Sequence, residues 1–515
     1  MKGKYRTMYE NNFIWSKNHG VRAFIDRLYE NGIRLWAEGD KIKFQSTGGV
    51  VSDEVMEVLK NKKPELLNYF CERNVVLDQS FDLTSIQEAY FLGRDDSYDL
   101  GGISANYYFE VELEQVIPKE LERAFNLTVK GNEALRSIIT KEGKQAVLEE
   151  VPWYPIEVMV LHEEQKREEL RHQWETYLYS LETWPMYRVV LTTINGCSYR
   201  LHVGFDCILL DAWSVTLLLK QLFALYLTEY FPFPVYTFRS YCRDLISNRN
   251  QKLMDAADKY WEGRAAGIPP APALPYQKRL TDIKKPVFKR INHELSKKET
   301  GLLYKKAKEY KVTPAAVICT AYMKVLADYS GNTSFSLNLT VFNRLSTNPA
   351  IQEVLGDFTN ISVAAYEPND GDSFIDEVSK TQQEFWNLVK YRGYEGVNII
   401  RKIKRDKTSG AVLPVVFTGI LQGLRESEYY LPDWAKESYA YSQTPQVSLD
   451  YQATDFNGSL SVNWDYVHEA FRAELIYEMF QKNICFLKLL ILSDWGQEVS
   501  VNQIYELEGQ NIPVL

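Results

Sequence analysis

Carboxylates set among apolar side chains are the residues of this sequence best placed to do chemistry. Asp206 and Asp211 frame Asp206-Cys207-Ile208-Leu209-Leu210-Asp211-Ala212-Trp213-Ser214, and Asp450 sits in Gln446-Val447-Ser448-Leu449-Asp450-Tyr451. A carboxyl enclosed by apolar neighbours resists ionisation. Its pKa climbs toward neutrality, where one group can both give and take a proton. The plainer reading is that each Asp pairs with a basic neighbour and holds structure. Thr418 ends the apolar run Pro414-Val415-Val416-Phe417 and either serves a site or satisfies a strand end. Asn338 and Gln446 stand in apolar strand-like runs, where they line a site or are satisfied core amides.

Other chemistries find little support. The six His are dispersed and no His-Glu-x-x-His occurs. His202-Val203-Gly204-Phe205-Asp206 spells H-x-x-x-D, but strand alternation alone puts both residues on one face. Asp95-Asp96-Ser97-Tyr98-Asp99 lacks the remaining ligands of a calcium loop and reads as a solvated turn. Glycine-rich nucleotide loops are missing. Six Cys without a Cys-x-x-Cys pair fit a reducing, cytoplasmic setting better than metal ligation or a disulfide frame. No metal is expected.

The elements that must position these residues follow from composition and pattern. The 515 residues carry 59 basic and 68 acidic side chains, a net charge of −9. Phosphate neutralisation demands a basic excess, so the charge balance argues against nucleic acid as a partner. No apolar run is long enough to span a bilayer, and the first residues lack the apolar centre of a signal peptide. Residues 1–75 read as a helix–hairpin–helix unit. A helical stripe (Val21, Phe24, Ile25, Leu28, Tyr29) is followed by strand-like Ile33–Ala37 and Lys41–Phe44 around Glu38-Gly39-Asp40. A second helical segment follows Ser52, with Pro64 able to split it. The hairpin edge is open, with Lys41 and Lys43 on one face of its outer strand, a geometry suited to adding a strand from another chain. Strands and helices then alternate to the end. A proline-rich stretch, 268–275, divides them into 76–267 and 268–515, and the expected class is α/β.

Seven ordered segments between about 81 and 495 resemble the heterocyclization domain of nonribosomal peptide synthetases, a cyclising relative of the condensation domain. They are Phe81–Arg94, Leu135-Arg136-Ser137 with Gly143-Lys144-Gln145, Asp206–Ser214 in the pattern D-x-x-x-x-D-x-x-S, the proline-rich stretch, Thr313–Ala316, Gly356–Thr359 and Pro414–Thr418. A His that usually follows the Arg of the second segment is absent. Residues 1–75 separately resemble a TubC-like docking domain through Gly32-Ile33-Arg34-Leu35-Trp36 and Glu38-Gly39-Asp40.

The resemblance implies two chloramphenicol-acetyltransferase-like lobes in a V-shaped pseudodimer around a tunnel. It implies amide formation between an upstream carrier-bound acyl group and carrier-bound Cys, Ser or Thr, then cyclodehydration to a thiazoline or oxazoline. Asp450 takes the acid/base role, oriented by Thr418. Amide-forming relatives carry H-H-x-x-x-D-G where this chain has Asp206 and Asp211, so Asp206 is expected to contact substrate. Asp211 is expected to pair with Arg344, near Ser214, at the tunnel, where Asn338 and Gln446 also lie. No cofactor is expected to be bound by the domain itself, since substrates ride on the phosphopantetheine of carrier domains. The expected partners are the C-terminal tail and acyl or peptidyl carrier of an upstream subunit, and downstream carrier and adenylation domains. The missing downstream domains suggest an excised fragment or a truncated subunit. The alternatives are an amide-forming condensation domain that does not cyclise and a non-catalytic carrier-binding scaffold.

Overall fold

The computed structural model describes 80–161, 165–194, 198–247, 251–344, 348–391, 393–404, 413–421, 431–456 and 458–504. In the N-terminal unit it describes Val21, Phe24, Leu28, 33–38, 41–46, Val51 and 53–72.

In that unit, alternation along Ile33–Glu38 turns Ile33 and Leu35 inward, where Phe24, Leu28, Val55, Leu59 and Leu66 close a small core. Strand Lys41–Ser46 pairs with it antiparallel, from Ile33↔Ser46 to Glu38↔Lys41. Lys41 and Lys43 are exposed, and among the described residues no further strand joins this hairpin. Pro64 falls in the first turn of helix Lys63–Glu72, where a missing N–H costs nothing, and the segment divides there from helix Asp53–Asn61. Ile25, Tyr29, Gly39-Asp40 and Ser52 lie outside the described residues.

Two large sheets make up the rest. The first has the strand order Ala435–Gln443, Asn106–Leu113, Ser198–Asp206, Tyr187–Ile194, Glu157–Leu161. Phe109, Val111, Val203 and Phe205 on one face bury against Leu121 and Phe125 of helix Pro118–Gly131 and Leu218 and Leu222 of helix Ala212–Thr228. The second sheet runs Phe288–Leu295, Ser459–Val467, Leu449–Phe456, Val415–Ile420, Phe335–Phe342, Thr359–Tyr366. Its odd-numbered positions in the central strands (Leu337, Leu339, Val415, Phe417, Leu449, Tyr451) pack on helices Pro314–Tyr329 and Ala473–Leu492 through Val317, Ile318, Met479 and Leu487. Much of the aromatic content is spent here. Tyr322, Phe417, Tyr451 and Trp464 form one ring cluster, with centroids 4.5–6.4 Å apart.

The sheets do not divide where the chain does. Strand Ala435–Gln443 comes from the C-terminal half yet pairs with Asn106–Leu113 in the first sheet, from Gln443↔Asn106 to Ala435↔Leu113, with a bulge between Glu437 and Tyr439. The proline-rich stretch is a packed strap rather than a free linker. Ile268 and Leu274 are buried, and Pro270 accepts a backbone hydrogen bond from Ser336 at 2.8 Å. Among the described residues no helix is long and apolar enough to cross a membrane, and no cluster of His, Cys, Asp and Glu could hold a metal ion.

Candidate active site

The face of the second sheet opposite its helices is polar, and register explains its layout. Asn338, Val416, Asp450, Asp465 and Arg290 are successive cross-strand partners, forming one transverse row. Two residues along each strand lies a second row, Thr340, Thr418, Gln452, Asn463 and Asn292. Because side chains repeat with period two, both rows point the same way. All but Asp465 line a cavity of about 1260 Å³. Tyr90 of helix Ser85–Gly93, together with Tyr107, Phe205, Cys207 and Asp211, lines it from the first-sheet side. A drug-sized site needs about 300–1,000 Å³, so this one has room for an extended substrate.

Asp450 sits within this face. Burial pushes its carboxyl up to about 6, and Asp465 adds to the rise. Hydrogen bonds from Gln452 and Thr418 and the charge of Arg290 oppose it. Thr418 Oγ1 lies 3.1 Å from Asp450 Oδ1 and 2.9 Å from Thr340 Oγ1. Each hydroxyl has one proton and free lone pairs, so the chain Thr340–Thr418–Asp450 can run in either direction. It donates to the carboxylate, or it accepts from the carboxylic acid. The structure thus brings Thr418 and Asp450 together with a carboxyl poised to change state near neutrality.

Sequence reasoning missed the support around that carboxyl. Gln452 Nε2 donates to Asp450 Oδ2 at 2.8 Å. Arg290 forks onto Asp465, with Nε to Oδ1 and Nη2 to Oδ2 both at 2.6 Å, and Nη2 also reaches Gln452 Oε1 at 2.9 Å. Ser442 of the crossing strand donates to Asp465 Oδ2 at 2.6 Å. The readable signal was the spacing Asp450-x-Gln452, which puts both on one strand face.

Asp206 requires a correction. It is 1% exposed, does not line the cavity, and pairs through Oδ2 with Arg94, while Oδ1 accepts the Ile208 N–H at 3.0 Å. Arg94 also donates to the Tyr179 carbonyl. The expected substrate contact is replaced by an ion pair that ties helix Ser85–Gly93 to the end of strand Ser198–Asp206. The next residue, Cys207, is the one that faces the cavity, and burial pushes its thiol well up, keeping it protonated.

Asp211 caps helix Ala212–Thr228 by accepting the Ser214 N–H at 2.7 Å, and Arg344 Nη2 meets its Oδ1 at 3.1 Å. Ser214 Oγ donates to the Gly356 carbonyl at 2.7 Å and accepts from Arg344 at 2.9 Å. Asp211 Oδ2 accepts the Phe358 N–H at 3.3 Å. These three residues fasten the helix to the segment Gly356–Phe358, and only Asp211 borders the cavity. Within that segment Asp357 is 1% exposed. Burial, then the nearby carboxylates of Asp211 and Asp206, push it up to about 8, against a hydrogen bond from Thr359. Its Oδ1 accepts the Thr359 N–H at 3.0 Å, and its Oδ2 has no hydrogen-bond partner among the described residues.

Asn338 lies in strand Phe335–Phe342 and lines the cavity, with its Oδ1 buried and unpartnered among the described residues. Gln446 also lines the cavity but is not in a strand. It occupies a left-handed turn, φ 64°, between Ala435–Gln443 and Leu449–Phe456. The neighbouring Pro445 packs on Gly93 so closely that a Cβ there would sit 2.4 Å from Pro445 Cβ. His202 is a satisfied core residue. It meets Tyr108 Oη at 2.7 Å and Thr192 Oγ1 at 2.8 Å, and burial holds it down at about 4. Asp95 accepts the Ser97 N–H at 2.8 Å in an exposed turn.

Comparison with known proteins fits this geometry. Residues 81–506 match the condensation domain, and residues 21–72 match the TubC N-terminal docking domain. Bacitracin synthase 1 of Bacillus licheniformis is 29% identical over 448 residues, covering 85% of this chain and 8% of that protein. Pyochelin synthetase PchF of Pseudomonas aeruginosa is 30% identical over 458 residues (84% of this chain, 25% of that protein). Phenyloxazoline synthase MbtB of a Mycobacterium species is 29% identical over 430 residues (81% and 36%). The chain thus spans well under half the length of these relatives. Among solved structures, the EpoB cyclization-docking bidomain of a nonribosomal peptide synthetase from Sorangium cellulosum superposes with a TM-score of 0.75 at 25% identity, covering 93% of this chain and 100% of that one. With a condensation-domain match over most of its length and a docking-domain match before it, the chain belongs to the condensation domain family of the nonribosomal peptide synthetases.

Proposed function

We propose that the chain is a heterocyclization domain preceded by a docking domain. It joins an upstream carrier-bound acyl group to the amine of carrier-bound Cys, Ser or Thr and then closes a thiazoline or oxazoline ring. The observation that carries this reading is the Thr418–Asp450 pair on the polar sheet face, with a carboxyl pushed up to about 6. In ring closure the side-chain thiol or hydroxyl adds to the new amide carbonyl. The former carbonyl oxygen then leaves as water, and the nitrogen loses its proton to form the C=N bond. Asp450 in its carboxylate form takes a proton, and in its acid form gives one to the departing oxygen; one group near pH 6 can do both. Thr418 passes a hydrogen bond either way, and Asn338 lines the same cavity. The similarity to the EpoB cyclization-docking bidomain and to pyochelin synthetase supports the reading.

Phosphopantetheine arms of carrier domains would deliver both substrates into the cavity. The N-terminal unit would receive the C-terminal tail of an upstream subunit as an added strand along Lys41–Ser46, beside Lys41 and Lys43.

The test is reconstitution with a native upstream acyl carrier and a carrier loaded with Cys, followed by weighing the tethered product. Heterocyclization predicts the acyl mass gained and one water lost. A product that keeps its water would reduce the domain to amide formation, and carriers left unchanged would reduce it to a scaffold.

A further inference from the structure

Gln452 makes more contacts than a sheet-face amide needs. Its Nε2 has two protons but three acceptors within reach: Asp450 Oδ2 at 2.8 Å, Ser442 Oγ at 2.8 Å and Asp465 Oδ2 at 3.0 Å. Its Oε1 faces Arg290 Nη2 at 2.9 Å. A guanidinium has donors only, so the amide cannot flip: oxygen must face Arg290, and the NH₂ must face the carboxylates. Arg290, 8% exposed along its side chain, is itself forked onto Asp465.

We propose that Gln452 is the positioning residue of Asp450, holding the carboxylate with one amide proton and releasing it to Ser442 when Asp450 is protonated. The surplus acceptor is what makes this work. With Asp450 ionised, the two amide protons go to Asp450 and Asp465. With Asp450 protonated, they go to Ser442 and Asp465, so no buried donor is orphaned in either state. The Thr340–Thr418 pair reverses its direction in the same exchange. Ser442 belongs to the strand Ala435–Gln443 of the first sheet, so the two sheets together set the state of the carboxyl. Among the described residues, the charged and titratable groups around Asp450 are Asp465 on the adjacent strand, Arg290 on the strand beyond it, Tyr90 from helix Ser85–Gly93 and Tyr322 from helix Pro314–Tyr329, while Glu437 of the crossing strand lines the same cavity and interacts with Arg290. Burial pushes both tyrosines well up, leaving them neutral, so the stabilisation that switches with the proton comes from the hydrogen bonds of Gln452 and Thr418.

This inference rests on the heterocyclization reading, and the experiment separates the two. Acyl transfer and water loss are timed between about pH 5 and 9 with native carriers, for the unaltered chain, Gln452→Met and Ser442→Ala. Gln452→Met removes a donor to the carboxylate, so the apparent pKa of water loss should rise by about one unit while acyl transfer persists. Ser442→Ala removes the surplus acceptor and commits the amide to Asp450, so the same pKa should fall, by less. A structural role alone does not move one pKa in opposite directions. Uniform slowing with an unchanged pKa in Gln452→Met overturns the inference. If that variant also loses acyl transfer, Ser442→Ala decides: an unchanged or raised pKa overturns it. No water loss from the unaltered chain, with acyl transfer intact, overturns the heterocyclization reading and this inference with it.

Discussion

Replacing Asp357 by Asn should stabilise the protein, and by more as pH rises. Asp357 is buried in the segment Gly356–Phe358, near the carboxylates of Asp211 and Asp206, and its pKa is pushed up to about 8. An unfolded Asp titrates at about 3.9. The folded pKa is the raised one, so the group's contribution is fully present below about pH 4 and is lost as pH climbs through about 8. At pH 7 the unfolded chain carries the charge and the fold does not. Taking up that proton costs about 1.4 kcal/mol per unit over about three units, or roughly 4 kcal/mol. In Asp357→Asn the amide oxygen still accepts the Thr359 N–H, and the proton cost is gone. Any fixed cost of the new NH₂ cancels in a comparison across pH. Urea unfolding followed by Trp fluorescence should show the gap between variant and wild type widening by about 2.7 kcal/mol from pH 5 to pH 7. Parallel stability curves over that range would mean that Asp357 is ionised in the fold, and the electrostatic account of this segment would fail.

Other perturbations read other parts of the structure. Asp211→Ala leaves Arg344 buried without its carboxylate and should cost about 3–5 kcal/mol in urea unfolding, whereas an effect under about 1 kcal/mol would mean that the pair is dispensable. Gly93→Ala drives a Cβ into Pro445, so a loss of about 1–3 kcal/mol and slower water loss are expected, and neither should appear if the 443–447 turn adjusts freely. Reversing both charges with Lys41→Glu and Lys43→Glu should weaken binding of a native upstream tail at low salt by calorimetry; unchanged affinity would remove these lysines from the interface.

The legible and illegible parts of this site differ in a physical way. Period-two alternation in Phe335–Phe342 and Leu449–Phe456 already separates a polar face from an apolar one, so Asn338 and Asp450 could be picked out one strand at a time. The hydrogen bond between Thr418 and Asp450 spans 32 residues, and motif resemblance brought the two together before any geometry did. Asp206 misled because its partner, Arg94, is 112 residues away, and nothing local says which way a buried carboxylate points. The crossing strand Ala435–Gln443 was illegible for the same reason: alternation identifies a strand but not its neighbour. Gln446 sits in a turn rather than a strand because its φ of 64° is set by the return from that crossing to Leu449–Phe456. The cluster of Arg290, Gln452 and Asp465 depends on cross-strand register, which becomes visible only once the sheet order is known.

The central claim is that Asp450 moves the protons of ring closure. Its most direct test is a single-turnover time course of the carrier-bound product with Asp450→Ala, read by intact mass. The account predicts that the acyl mass still arrives on the Cys-loaded carrier while the loss of one water stops. Water loss at the wild-type rate, or disappearance of both steps in a variant that remains folded, would contradict it.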